Sequence, residues 1–317
     1  KLINKYNQFY FDKRAPIVSD KIYDDLKKDI LLLESKYVFL KSNNSPGNSV
    51  GHKPSKNFLK SPHRIPMLSL ANAFSEEDLI NFEKKILNFL SRKSDFKIFY
   101  SAEPKIDGIS ASITYKKGNF VKGLSRGDGK EGEDITNNLN TIKDIPKHIS
   151  SKDFPEEIDI RGEVFIQNSD FENMKDKFAN PRNAASGSLR QKKPEDTKKI
   201  PLNFIAYTFG FENGLKVETQ SEYLKKLEEW GFKVNPLNKL INGVKNLIHN
   251  YNEIEKKRAD LDFDIDGIVY KVNEFALQKR LGNVANAPRW AVAHKFSSSK
   301  AVTQIKDIEI QIGRTGA

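Results

Sequence analysis

The sequence contains no cysteine, and this absence excludes two classes of protein. Without thiolates the chain can form no disulfides and can hold no metal through sulfur ligands, so a disulfide-stapled secreted module is ruled out. Long apolar runs are missing as well, since no stretch approaches the roughly 18 residues of a membrane-spanning helix. The opening residues, KLINKYNQFYF, do not have the form of a secretory signal. We therefore expect a cytoplasmic protein with no membrane partner.

The sequence has fewer acidic than basic residues. Lys and Arg number 53 against 42 Asp and Glu, which leaves a net charge of +11. Such an excess favours a polyanionic partner such as nucleic acid or a nucleotide, although a lysine-rich proteome would explain it equally well. The length of 317 residues predicts one large domain with an accessory unit. Because the chain begins without methionine, we expect it to be an excised piece or a fragment of a longer protein.

The first part of the chain has a helical pattern. Residues 19–37 carry apolar side chains at helical spacing, with Ser19 or Asp20 placed to cap the first turn. Together with the aromatic segment before them, they predict a small helical subdomain over residues 1–45. Residues 46–66 are rich in Ser, Asn, Pro and Gly, which is typical of an extended linker.

Residues 67–305 read as one α+β domain. A helix is predicted to follow Ser75, where SEED supplies a capping-box pattern and acidic residues for the first turn. Beyond it, β-rich runs broken by Gly and Asn turns alternate with helical segments at 221–231 and 244–258. This order of elements predicts largely antiparallel sheets flanked by helices.

The run EIDIRGEVFI predicts a strand with two unlike faces. Alternation places four aliphatic side chains on one face and three charged side chains on the other. The aliphatic face is core, formed by Ile158, Ile160, Val164 and Ile166. The charged face carries Asp159, Arg161 and Glu163. For the charged face, a solvated surface and a functional site are both open at this point.

Three lysines interrupt or adjoin apolar strands and form the main candidate for chemistry. Lys105 lies in AEPKIDGIS, Lys271 in DIDGIVYKVN and Lys295 in APRWAVAHKF, each with small residues on its own face. Converging lysines bind phosphates, and they lower one another's pKa enough for one to act as a nucleophile. The structural alternatives are a solvated turn for Lys105 and a snorkelling side chain for Lys271. His294 is predicted to be a packed histidine rather than a catalyst.

Taken in order, these segments resemble the adenylation region of the NAD-dependent bacterial DNA ligases, over essentially the whole chain. The motifs that carry the resemblance are EPKIDG, SRGDGKEGEDIT, IRGEVFI, FANPRNAASGSLRQ, FDIDGIVYKV and PRWAVAHKF. The N-terminal segment YFDKRAPIVSDKIYDDL is similar to the subdomain that binds the nicotinamide mononucleotide (NMN) half of NAD⁺ in that family. The resemblance implies a nucleotidyltransferase fold for residues 67–305 and the start of a truncated OB-fold at residues 306–317.

The resemblance also implies roles for individual residues, with Lys105 as the lysine that becomes adenylated. The implied catalytic residues are Lys105, Asp107, Arg126, Glu163, Asp266, Lys271 and Lys295. Contacts to NAD⁺ are implied for the following residues: Tyr10, Asp20, Tyr23, Asp24, Ser69, Leu70, Glu103, Lys105, Arg126, Glu163, Lys271 and Lys295. Contacts to DNA phosphates are implied for Arg182, Arg190 and Arg258.

The implied activity is that of a DNA ligase in which Lys105 takes AMP from NAD⁺ and releases NMN. Mg²⁺ is the expected metal, with Glu163 as its ligand, and the family's zinc site belongs to a C-terminal part that this chain lacks. Nicked duplex DNA is the expected partner of a monomeric protein. Two alternatives are an ATP- or GTP-dependent nucleotidyltransferase and a non-catalytic basic module that binds nucleic acid. Three positions depart from the family pattern: Phe11, Ala71 and His294.

Overall fold

The structure is a computed structural model that describes residues 3, 6, 18, 20–40 and 58–297. In the N-terminal part, helix α1 spans Asp20–Lys36, which confirms the helix predicted there, and a 3-10 turn follows at Val38–Leu40. Tyr10 and Phe11 lie outside the described residues, and for Asp20 and Asp24 only the helical backbone is described. Tyr23 is half-buried. No helix among the described residues has the length and apolarity needed to cross a membrane.

The main domain alternates strands with helices, as its sequence pattern predicts. Its helices are α2 (Glu76–Phe89), α3 (Thr136–Leu139), α4 (Asn168–Phe171), α5 (Pro181–Leu189), α6 (Pro194–Lys198), α7 (Gln220–Glu229), α8 (Val244–Lys257) and α9 (Phe275–Leu281). Its strands are β1 (Lys60–Pro62), β2 (Ala71–Ala73), β3 (Phe99–Ile106), β4 (Ile109–Lys116), β5 (Asn119–Ser125), β6 (Glu131–Glu133), β7 (Glu157–Ile166), β8 (Leu202–Asn213), β9 (Lys239–Asn242), β10 (Ile265–Val272), β11 (Asn283–Val284), β12 (Ala287–Pro288) and β13 (Ala291–Lys295).

Two sheets organise this domain. One has five strands in the order β2-β13-β10-β3-β9, and the other has four in the order β5-β4-β7-β8. All neighbouring strands in these sheets are antiparallel except β13 and β2, which are parallel. The α+β class with mainly antiparallel sheets is therefore confirmed. The short strands β1 and β6 pair separately, as do β11 and β12.

Each sheet has its own hydrophobic core. The aliphatic face of β7 packs into the first core with Phe204 and Trp230, which confirms that face as interior. The second core lies under the five-stranded sheet and includes Tyr100, Tyr270 and Val292. His294 belongs to the same buried face of β13, and its ring stacks on Tyr251 with centroids 4.0 Å apart. It is a packed histidine, as its sequence context indicates.

The other face of β7 is covered by protein. Asp159 is 5% exposed and forms an ion pair with Arg64, while Arg161 is 8% exposed and donates to the backbone carbonyl oxygens of Ile65 and Pro66. The solvated-surface alternative for this face is therefore wrong, because the segment that follows β1 lies across it. This segment supplies the hydrogen-bond partners that a buried guanidinium requires.

The last residues of the predicted linker, 58–66, are described in the structure and contact the main domain. Residues 60–62 pair with 131–133 in an antiparallel ladder, and His63 and Met67 are buried in the main domain. Proline and serine in this segment suggest a flexible connection, but Pro62 stands at the end of a short edge strand, where proline is tolerated. Residues 60–67 therefore pack with the main domain, while the predicted bounds of the linker stay a prediction.

Candidate active site

The site is built on the face of the five-stranded sheet that carries the lysines. On the central strand β10, Gly267 lies opposite Lys105 of β3 on one side and Lys295 of β13 on the other. A Cβ atom at position 267 would come within 2.3 Å of the His294 carbonyl oxygen, so a side chain there would collide with β13. Strands about 4.8 Å apart therefore place the two lysines on either side of a bare glycine.

Lys105 is held in an ion pair. Its Nζ atom donates to Asp266 Oδ2 at 2.9 Å, and Asp266 Oδ1 is buried without a hydrogen-bond partner among the described residues. Burial alone would lower the pKa of Lys105, but the charge and hydrogen bond of Asp266, helped by Glu163, outweigh burial and raise it above its ordinary value. The lysine is therefore protonated at neutral pH and has a carboxylate in position to receive its proton.

Lys271 occupies the other end of the same face. It follows Gly267 by four positions on β10, about 13 Å along the strand, and its Nζ atom lies 2.7 Å from Glu103 Oε2. Both side chains are almost fully buried. The resemblance implies that Lys271 acts around the α-phosphate together with Asp266 and Lys295, and this role stays a prediction. Alternation predicts which face a lysine occupies but not its distance along that face.

Arg126 and Glu163 line the site from the four-stranded side. Arg126 donates to the Ser69 hydroxyl at 3.1 Å, while its Nε atom is buried without a partner among the described residues. Glu163 accepts from the Ser110 hydroxyl at 2.9 Å. Burial raises the pKa of Glu163, although Arg182 and Lys105 partly oppose this effect. Leu70, next to Ser69, is half-buried.

The arginines predicted to face DNA all make contacts within the chain. Arg182 at the start of α5 pairs with Asp107 at 2.5 Å, and Arg190 at its end pairs with Glu133 at 2.8 Å. Burial would raise the pKa of Asp107, but Arg182 outweighs burial and lowers it. Arg258 lies over the ring of Phe296, 5.3 Å from its centroid. The three guanidinium groups are partly exposed.

The acidic residues of the site do not form a metal cage. Among the described residues, no group of three or more His, Asp and Glu side chains is arranged to hold a metal ion. Glu163, the predicted Mg²⁺ ligand, has Ser110 and the cations of Lys105 and Arg182 around it. Because Mg²⁺ requires near-octahedral oxygen coordination, this surrounding does not fit a metal held by protein alone.

Two residues that line the site, Gln220 and Ser101, are not predicted by any sequence motif. Gln220, the first residue of α7, donates to Glu103 Oε1 at 2.9 Å and to the Tyr207 carbonyl oxygen at 2.7 Å. Ser101 donates to the same Glu103 oxygen at 2.8 Å. The one local signal is the capping-box pattern at Thr219, which predicts where α7 begins but not what Gln220 contacts.

Two protein families match this chain, one over the main domain and one over the N-terminal part. The family described as "NAD-dependent DNA ligase adenylation domain" matches residues 55–299, and that described as "DNA ligase-like, N-terminal NAD+-binding domain" matches residues 1–51. A DNA ligase of Pelagibacter ubique (strain HTCC1062) is 66% identical over 316 residues, which are 100% of this chain and 47% of that protein. A DNA ligase of Parvibaculum lavamentivorans is 46% identical over 323 residues, 99% of this chain and 46% of that protein.

The chain thus spans about half the length of the curated relatives it matches. The match to the adenylation domain includes the whole site around Lys105, and the second match includes the segment that the sequence analysis likens to an NMN-binding subdomain. The chain belongs to the NAD-dependent DNA ligase family.

Proposed function

We propose that this chain is the self-adenylating part of a DNA ligase and that Lys105 is its nucleophile. In this reaction the lysine attacks the α-phosphorus of NAD⁺, NMN leaves, and AMP remains on Nζ as a phosphoramidate. The observation that carries the proposal is the row Lys105–Gly267–Lys295, with Asp266 beside the first lysine. It combines a nucleophile, a proton acceptor and a second cation on one sheet face.

The proton has to leave Lys105 before the N–P bond forms, because only the free amine has a lone pair. Asp266 Oδ2, 2.9 Å away, is the acceptor within hydrogen-bond reach. The new N–P bond forms as the P–O bond to NMN breaks, and the oxygen of NMN leaves with the electron pair. Lys295, across Gly267 from the nucleophile, supplies positive charge toward the phosphate oxygens as charge shifts onto them.

The site also has spare polar atoms for a nucleotide. Arg126 Nε is a buried donor and Asp266 Oδ1 a buried acceptor, and neither has a partner among the described residues. Such atoms are costly to bury unless a ligand satisfies them. Tyr10, Asp20, Tyr23 and Asp24 are proposed to bind the NMN half, and a requirement for Mg²⁺ remains a prediction.

In the whole protein we expect the AMP to pass to the 5′-phosphate of a nick, where the 3′-hydroxyl then displaces it. The partner is therefore nicked duplex DNA, with Arg182, Arg190 and Arg258 toward its phosphates. The chain spans about half of its relatives' length, and we expect it to adenylate itself. We further propose that the protein is a monomer and acts in the cytoplasm.

Mass spectrometry of the intact chain tests the proposal. After incubation with NAD⁺ and Mg²⁺, the wild type should gain the mass of one AMP, and Lys105→Ala should gain none. Exposed Lys97 offers a matched control, so Lys97→Ala should label like the wild type. Labelling of Lys105→Ala would refute the nucleophile assignment.

The same assay separates the alternatives. AMP acquired from ATP but not from NAD⁺ would identify an ATP-dependent nucleotidyltransferase. Salt-sensitive DNA binding without a covalent product from any nucleotide would identify a non-catalytic basic module.

A further inference from the structure

A buried polar network joins the two sheets at the end of the site away from Lys105. Glu103 is its centre: Oε1 accepts from Ser101 and Gln220, and Oε2 accepts from Lys271. The carbonyl oxygen of Tyr207, on β8, accepts from both Gln220 and Lys271. Four residues of the network are at most 6% exposed: Ser101, Glu103, Gln220 and Lys271.

Glu103 and Lys271 each keep one hydrogen-bond position that this network does not use. A carboxylate oxygen has two acceptor positions and an ammonium has three donors. Within the described part of the chain, Glu103 Oε1 has both acceptor positions filled, whereas Oε2 has one position left. Lys271 donates two of its three protons to Glu103 and Tyr207, and the third has no acceptor among the described residues. The pair therefore offers one acceptor and one donor side by side.

A ligand edge that carries a hydrogen-bond donor next to an acceptor can bind this pair, with its donor toward Glu103 and its acceptor toward Lys271. The 6-amino group and the neighbouring ring nitrogen of adenine form such an edge. A 6-oxopurine has the reverse order, an acceptor oxygen beside a ring N–H. Glu103 lies two residues before Lys105 on β3, about 7 Å along the strand, so one nucleotide can contact both.

We propose that Gln220 is a positioning residue that fixes the orientation of Glu103 and thereby makes the site select a 6-aminopurine over a 6-oxopurine. The inference rests on the proposed function in taking the ligand to be NAD⁺. Because both partners of the Gln220 amide nitrogen are acceptors only, the orientation of the amide is determined. By filling Oε1, Gln220 leaves Oε2 as the oxygen that faces the base.

The position of Gln220 is itself built into the fold. Thr219 and Glu222 form a complete capping box at the start of α7. The backbone N–H of Gln220 donates to the carbonyl oxygen of Asn273, directly after β10, at 2.7 Å. The helix start is thus tied to the strand that carries Lys271. A side chain at the first helical position can then reach Glu103 on β3 and Tyr207 on β8 together.

The test compares self-adenylation of the whole 317-residue chain from NAD⁺ and from nicotinamide hypoxanthine dinucleotide, whose base has a 6-oxo group. The measured quantity is the ratio of the two second-order rate constants for single-turnover self-adenylation. We expect the wild type to prefer NAD⁺, and Gln220→Leu to reduce that preference by about tenfold, as for loss of a hydrogen bond to a charged group. Purely structural damage would slow both substrates equally and leave the ratio unchanged.

Gln278→Leu is the matched control, since Gln278 donates at 2.6 Å to the Val272 carbonyl oxygen and does not contact Glu103. It should keep the wild-type ratio. If Gln220→Leu does not fold, Ser101→Ala removes the other donor to the same oxygen and should shift the ratio in the same direction. A ratio within twofold of the wild type in these variants, with adenylation from NAD⁺ intact, would overturn the inference alone. Failure of the wild type to label from NAD⁺ would overturn the proposed function and the ligand named here.

Discussion

Among the many lysines of this chain, Lys105 is set apart by its surroundings. Its half-buried amine lies beside Asp266, and the carboxylate keeps it charged in the absence of substrate. A protonated amine is protected from unwanted electrophiles but cannot attack phosphorus. In the proposed reaction, binding of NAD⁺ therefore has to be accompanied by proton transfer from Lys105. Asp266 stabilises the charged resting state and is the proposed acceptor of that proton.

The variant Asp266→Asn should shift the pH dependence of self-adenylation. Loss of the carboxylate charge removes a cause that raises the pKa of Lys105, so the amine should deprotonate at lower pH. The midpoint of the rise in rate with pH should move down, while the plateau rate falls because the proton acceptor is lost. Stopped assays across pH 6 to 10 would measure both, with exposed Asp260→Asn as control. An unmoved midpoint would contradict the assigned ion pair.

His294 should make stability depend on pH. Burial lowers the pKa of its imidazole from about 6.5 in the unfolded chain to about 4. Between these values the unfolded state binds a proton that the folded state does not, so the contribution is intact above pH 6.5 and is lost toward pH 4. The linkage relation gives a loss of about 2 kcal/mol at pH 5.

His294→Phe keeps a ring against Tyr251 and removes the titration, so its unfolding free energy should decline less between pH 8 and pH 5 than that of the wild type. Denaturant unfolding at the two pH values measures the difference. The control is His249→Gln, where the ring is exposed. Equal declines in His294→Phe and the wild type would disprove the assignment.

At the scale of strands and helices, local pattern predicts which residues share a face. The alternation in β3, β10 and β13 places Lys105, Gly267 and Lys295 on one surface, and antiparallel pairing brings them into one row. Pattern does not determine what reaches that surface from elsewhere. Gln220 is separated from Glu103 by 117 residues, and their contact depends on how α7 docks at the end of β10. Such contacts arise from tertiary packing, which no local spacing encodes.

Gly267→Ala should disturb the site through the strands. The added Cβ would lie 2.3 Å from the His294 carbonyl oxygen and 2.9 Å from Lys295 Cα, so β13 has to move away from β10. Since a misplacement of about 1 Å can cost on the order of 100-fold in rate, we expect a loss of that size in single-turnover adenylation. Ile268→Val, in the core on the same strand, should cost about 1 kcal/mol of stability and leave the rate unchanged. If Gly267→Ala adenylates itself at the wild-type rate, the expectation is wrong, and the reaction tolerates a larger distance between β10 and β13.

For the molecule as a whole, the net charge of +11 and the set of partly exposed arginines point to a polyanion. The net charge does not distinguish DNA binding at a defined surface from nonspecific electrostatic attraction to DNA. Arg190 is a poor residue for deciding between them, because it pairs with the fully buried Glu133, and breaking a buried ion pair destabilises the fold. Arg258 has no such complication, since its contact is the ring of Phe296.

We therefore expect Arg258→Ala to change the salt dependence of binding to nicked duplex DNA. Each phosphate contact contributes about −0.9 to the slope of log K against log salt concentration, so loss of one contact should make the slope shallower by about that amount. Arg92 is the matched control, because its guanidinium also lies over a phenylalanine ring, that of Phe96, at 4.9 Å. Fluorescence anisotropy at several salt concentrations measures the slopes. If binding is a property of total charge, both variants will weaken it equally; if it has a defined surface that includes Arg258, only the first will change the slope.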